Sequence, residues 1–133
     1  MNKKQLIKKA FETMEAAYAP YSKYLVGSAI LLKDGRVVVG ANVENASYGA
    51  TSCAERNAIF QVYSLGYRQQ DIEAIAIVSS GQLLAGPCGI CRQVLSELLN
   101  PDTPIYLSNG QEEMTTTIQE LLPLTFGPKD LLP

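Results

Sequence analysis

Cys53-Ala54-Glu55 and Pro87-Cys88-Gly89-Ile90-Cys91 together hold all three cysteines of the chain. Histidine is absent, which excludes a Ser-His-Asp triad and a Cys-His pair. It also leaves thiolates and carboxylates as the side chains able to bind a transition metal. Cys88 and Cys91 stand at i,i+3, so at a helix start they can turn toward one ion. Cys53 can close a third corner. Three protein ligands leave one tetrahedral position open, and open zinc sites are catalytic sites. Zinc lowers the pKa of water in that position and makes a nucleophile near neutral pH. Glu55, two residues from Cys53, is then a base for the water and a proton donor to what leaves. There is a steric condition. Residues two apart face different sides of a regular helix, so the pair works only if Cys53 sits at the cap. A structural zinc with a carboxylate as fourth ligand is the rival reading, and a buried small hydrophobe is the ordinary fate of each cysteine alone.

Both motifs need helix N-termini, where free N–H groups favour thiolate over thiol. The hydrophobic pattern supplies them. Leu6, Ile7, Ala10, Phe11, Met14, Ala17 and Tyr18 recur at helical spacing, with Asn2 as cap and Pro20 as stop. Val26 to Leu32 is a buried strand, Asp34-Gly35 a hairpin turn and Val37 to Ala41 the return strand. After a polar stretch, Asn42 to Ser52, the pattern from Cys53 to Leu65 is helical and stops at Gly66. Ile72 to Val78 reads as a central strand, and Ser79 to Pro87 as a loop that delivers Cys88. Ile90, Val94, Leu95, Leu98 and Leu99 mark another helix, ended by Asn100-Pro101. Ile105 to Leu107 is a strand, Asn109-Gly110 a turn, Glu113 to Thr116 an edge strand, and Thr117 caps a short helix through Leu122. Strands separated by helices imply right-handed crossovers and a largely parallel section, which the first hairpin makes mixed. The expected architecture is a three-layer α/β/α domain over residues 1–133, with helices on both faces of a mixed sheet of about five strands.

At 133 residues the chain is long enough for one domain with its own core. Three cysteines are an odd number, poor for an extracellular disulfide framework and better suited to ligands in a reducing compartment. The formal charge of -2 and the lack of a basic tail argue against a nucleic-acid partner and leave a small neutral substrate open. No apolar run spans a membrane, and the N-terminus lacks a signal core, so a cytoplasmic protein is expected.

The chain resembles the small, three-cysteine, zinc-dependent cytidine deaminases. The likeness runs through Tyr18-Ala-Pro-Tyr-Ser-Lys23, Asn42-Val-Glu-Asn-Ala-Ser-Tyr48, Cys53-Ala-Glu-Arg56, Pro87-Cys-Gly-Ile-Cys-Arg-Gln93 and Leu121-Leu-Pro-Leu-Thr-Phe-Gly-Pro128. Zinc deaminases share a His/Cys-x-Glu and Pro-Cys-x-x-Cys signature. The resemblance implies hydrolytic deamination of cytidine and deoxycytidine, with release of ammonia, in pyrimidine salvage. It implies a single zinc ion on Cys53, Cys88 and Cys91, a zinc-activated water as nucleophile and Glu55 as proton shuttle. Asn42 and Glu44 would bind ribose hydroxyls, and the main chain at Ala54 would hold the pyrimidine. Tyr24 stands where the family usually has an aromatic ring beside the base, often Phe, and Tyr48 joins the substrate-binding set. Phe126 would complete a neighbouring subunit's pocket, in a homotetramer with shared sites. Arg56 has a reading of its own. Three thiolates on a divalent cation leave a charge of -1, and an arginine three residues after Cys53 can donate to the sulfurs. A relative acting on another aminated pyrimidine nucleoside, a nucleic-acid editor and a non-catalytic zinc module are the alternatives.

Overall fold

The structure is a computed structural model and describes residues 1–133. Helix α1, Lys3–Met14, begins with Asn2 and Gln5 capping each other's backbone N–H. Strands β1, Val26–Leu32, and β2, Val37–Ala41, form the hairpin, with Gly35 at φ +95° in its turn. Then follow α2, Ala54–Ser64, β3, Ile72–Ser79, α3, Gly89–Leu98, β4, Ile105–Ser108, and β5, Glu113–Thr116. Two short helices end the chain, α4, Ile118–Leu121, and α5, Pro128–Leu131. No helix is long and apolar enough to cross a membrane.

The five strands join one sheet in the order β2-β1-β3-β4-β5. Only β3 and β4 are adjacent and parallel; the other three pairings are antiparallel. The expected parallel section is thus a single pair. The reason lies in the hairpin. Strand β1 sits between β2 and β3 and runs against both, so the β2-α2-β3 crossover links parallel strands that do not touch. Strands β2 and β3 still point the same way, so the chain leaves both toward the same end of the sheet. Helices α2 and α3 begin there, where α/β folds place their sites.

Period-two alternation divides the core by face. Ile30, Leu32, Ile75 and Ile77 pack with Ala58, Ile59, Val62, Leu95 and Leu99 of the α2 and α3 layer. Ala29, Leu31, Ala74, Ala76 and Val78 turn the other way, onto Leu6, Ile7, Ala10 and Met14 of α1. Burying each large aliphatic contributes roughly 1.5–3 kcal/mol. The α1 face is lined by alanines, and this lets α1 lie close. It ends at Met14, short of the expected stop. Tyr18 instead bridges to Val43, donating to Asn42 O at 2.9 Å and accepting from Glu44 N at 2.8 Å. Backbone pairing there outweighs the helical periodicity of Ala17 and Tyr18.

Gly40 fixes where α2 starts. A Cβ at Gly40 would stand 2.6 Å from both Ala54 O and Ala58 N. No side chain fits without moving the first turn of α2. Gly40→Ala is therefore expected to cost about 1–3 kcal/mol in urea unfolding. Gly49→Ala, with nothing within 4 Å of its new Cβ, should change stability by less than about 0.5 kcal/mol. Equal midpoints for the two variants would show that this contact does not set the helix.

Candidate metal centre and active site

Cys53 is the N-cap of α2, with extended φ -73° and ψ 154°. Cys88 is the N-cap of α3, with φ -67° and ψ 170°. Cys91 lies one turn into α3 and is fully buried. The three sulfurs are within 4.8 Å of one another, and those of Cys53 and Cys88 are 3.9 Å apart. Tetrahedral thiolates at the usual zinc–sulfur distance of about 2.3 Å stand about 3.8 Å apart, so the cluster fits a zinc ion. The donor set is soft, and it provides three ligands where a closed structural site needs four.

Glu55 is the second residue of α2. Because Cys53 precedes the helix in extended geometry, the two side chains meet in one cavity despite their two-residue spacing. Glu55 is 4% exposed, and burial pushes its carboxyl up to about 7. The neighbouring Cys91 thiol and the Arg56 guanidinium, against the opposing effect of burial, hold the Cys53 thiol down to about 5. The neighbouring Cys53 sulfur and burial push the Cys91 thiol up. Arg56 Nη2 donates to Cys53 Sγ at 3.4 Å and to Thr51 O at 3.4 Å, while its buried Nε lacks a partner. The guanidinium is the fixed positive charge beside the sulfurs.

A cavity of about 400 Å³ opens over this cluster. Tyr24, Asn42, Glu44, Cys53, Glu55 and Cys88 line it, together with Ile77, Val78, Ser79, Ala85 and Gly86. Ala54 lies buried beneath, as the first residue of α2. Asn42 is already engaged, its Oδ1 accepting from Val26 N and its Nδ2 donating to Tyr24 O, each at 2.9 Å. Glu44 Oε1 accepts from Tyr21 N at 3.0 Å and Ser22 N at 3.1 Å. Ser22 Oγ donates to Glu44 Oε2, and these bonds hold its carboxyl below the usual range. Two expected residues lie apart. Tyr48 is 77% exposed and stacks edge-on with Tyr21 in an adjoining groove that shares Ser22, Glu44 and Thr51. Phe126 is 60% exposed, its carbonyl bound by Gln93 Nε2. Ser22, Thr51, Ser79, Ala85 and Gly86 were not foreseen. The position of Ser79 at the end of β3 was a usable signal; the others carry none.

The model of the cytidine and deoxycytidylate deaminase zinc-binding region matches residues 1–107. A cytidine deaminase of Halalkalibacterium halodurans is 50% identical over 132 residues, covering 98% of each chain. One of Sporosarcina psychrophila is 42% identical over 98% of this chain and 96% of its own. The crystal structure of a cytidine deaminase from Burkholderia pseudomallei superposes with a TM-score of 0.91 at 45% identity, covering 95% of this chain and 100% of that one. With the three thiols and the buried carboxylate set as they are, the chain is an enzyme of the cytidine and deoxycytidylate deaminase family.

Proposed function

We propose that the chain hydrolyses cytidine and deoxycytidine to uridine and deoxyuridine with release of ammonia, in pyrimidine salvage. The observation that carries this reading is the buried Glu55 carboxyl sharing a cavity with Cys53 and Cys88, whose sulfurs cluster with that of the buried Cys91. Those thiols would hold a single zinc ion, which when bound supplies Lewis acidity and lowers the pKa of water. Glu55 accepts the proton from the water that adds at ring carbon 4. It delivers that proton to ring nitrogen 3 and then assists ammonia's departure. A carboxyl near pKa 7 holds and releases a proton with equal ease at neutral pH. Tyr24 stands beside the base, Asn42 and Glu44 meet the ribose hydroxyls, and the Ala54 main chain orients the ring.

The lining also argues for a nucleoside over a nucleotide. Its charged side chains are Glu44 and Glu55 beside the thiols, and it contains no lysine or arginine. A 5′-phosphate would meet negative charge without a cation to receive it. The whole of residues 1–133 is read as one catalytic domain in a cytoplasmic enzyme, whose reducing surroundings keep three thiols free. Tyr48, exposed in the groove that adjoins the cavity, and Phe126, exposed outside it, suit a homotetramer in which one subunit completes the pocket of the next.

An ultraviolet assay tests the reading. Cytidine and deoxycytidine should be turned over, cytidine monophosphate far more slowly. Absence of turnover on both nucleosides by zinc-loaded enzyme would refute it. Zinc should co-purify at one ion per chain, and Cys53→Ala or Cys91→Ala should lose it; full occupancy in either variant would remove that residue from the ligand set. Glu55→Gln should keep zinc and lose about 10²–10⁴-fold in turnover, and near-normal turnover would exclude Glu55 as the shuttle. Arg56→Gln should keep zinc and turn over more slowly, because the Cys53 sulfur then loses its positively charged donor. Unchanged turnover in that variant would leave Arg56 a structural residue.

A further inference from the structure

The loop between β3 and α3 has two jobs and two anchors. Its far end delivers Cys88, and Arg92 holds it there, with Nε donating to Pro87 O at 2.7 Å and Nη1 to Leu121 O at 2.8 Å. Its near end extends the β1–β3 pairing past Val26 and Ser79. Ser80 N donates to Leu25 O at 2.9 Å, and Leu25 N to Ser80 Oγ at 3.0 Å. The next residue, Gly81, lies under the Tyr24 ring. A Cβ there would stand 2.9 Å from Tyr24 Cε2 and 3.2 Å from its Oη. The ring thus lies against Gly81 and walls the cavity on one side.

Asn109, in the turn between β4 and β5, reaches across to this near end. Its Nδ2 donates to Gly81 O at 3.2 Å and to Gln82 O at 3.1 Å. Its Oδ1 does separate work, accepting from Gln111 N at 3.0 Å and Glu112 N at 2.8 Å to build its own turn. From sequence, Asn109 is a turn residue only. We propose that Asn109 is a positioning residue, holding the Tyr24 wall of the pocket through the Gly81–Gln82 backbone and so setting how tightly substrate binds. It touches neither the thiol cluster nor Glu55. Through Arg92, the metal-bearing end of the loop is secured independently.

The inference rests on the nucleoside-deaminase reading, since it places the base against Tyr24. The substitution Asn109→Asp separates the two roles of the side chain. The carboxylate keeps the Oδ1 acceptor for the turn and loses the Nδ2 donor to the loop. Expected in zinc-loaded enzyme are a melting temperature and zinc content close to wild type, a KM for cytidine raised about tenfold, and kcat within about twofold. Tenfold corresponds to roughly 1.4 kcal/mol, the size of one intramolecular hydrogen bond. Gly81→Ala, which crowds the same ring, should raise KM in the same way. In a Tyr24→Ala background, Asn109→Asp should raise KM no further. An unchanged KM, a fall in kcat in step with lost zinc or folded protein, or full additivity with Tyr24→Ala would each overturn the proposal. Wild-type enzyme inactive on nucleosides would overturn the deaminase reading by itself. In that event a crystal structure of Asn109→Asp decides the positioning role, and a Tyr24 ring that has not moved overturns it.

Discussion

Three sulfur atoms within 4.8 Å of one another impose the main constraint on this fold. Thiolates that close repel, and thiols that close hydrogen-bond only weakly, so the chain must bring them together by other forces. It does so with two helices that begin at the same end of one sheet. Burial of Ile59, Val62, Leu95 and Leu99 against Ile30, Ile75 and Ile77 supplies the attraction. Gly40 then sets the closeness, since any larger residue would meet Ala54 and Ala58. The electrostatic cost is met locally by the helix N-termini and by the Arg56 guanidinium. A divalent cation takes over that role when bound.

The polar stretch before Cys53 shows how one set of residues serves both fold and site. Asn42 is 7% exposed and satisfies the backbone of Val26 and Tyr24. Glu44 collects two backbone N–H groups and the Ser22 hydroxyl. Both side chains also line the cavity. A carboxylate held by several donors is fixed in place and still has lone pairs to offer. Such groups are organised before any ligand arrives and need little reordering to bind one. Val43 pairs with both Tyr18 and Ser52, so this irregular segment is tied on both sides rather than free.

The helix starts that carry chemistry were legible because capping and periodicity are local. Cys53 had to be a cap for the Glu55 spacing to work, and it is one. The hairpin at Asp34-Gly35 and the edge strand Glu113–Thr116 follow from turn chemistry and alternation in the same way. What could not be read is non-local. Helix periodicity continued through Tyr18, but the deciding partner was Val43, twenty-five residues on. The direction of pairing was hidden too. A crossover helix implies parallel strands, yet nothing in the residues of β1 says that it inserts between β2 and β3. The cavity lining at Ala85 and Gly86 belongs to the same class, since small residues in a loop show no sign of what they face.

Tyr24 illustrates how far a local sequence can be bent to serve a site. Lys23, just before it, has φ 60°, a left-handed conformation costly for a side chain with a Cβ. The strain is offset close by. Lys23 N donates to Ala19 O at 3.0 Å and its Nζ to Pro20 O at 2.9 Å. Tyr24 N donates to Ser22 Oγ at 3.0 Å, and the Ser22 hydroxyl is held by Glu44. The reversal at Lys23 turns the chain from the Tyr18–Val43 bridge into β1, and in doing so it directs the Tyr24 ring toward the cavity. Glycine at 23 would relieve the strain but would widen the range of backbone angles at the hinge. A residue that is strained yet held by hydrogen bonds on both sides defines one direction for the next side chain. The aromatic wall is thereby aimed from its own strand side by Lys23 and backed from the loop side by Gly81, so its position is fixed by two segments more than fifty residues apart.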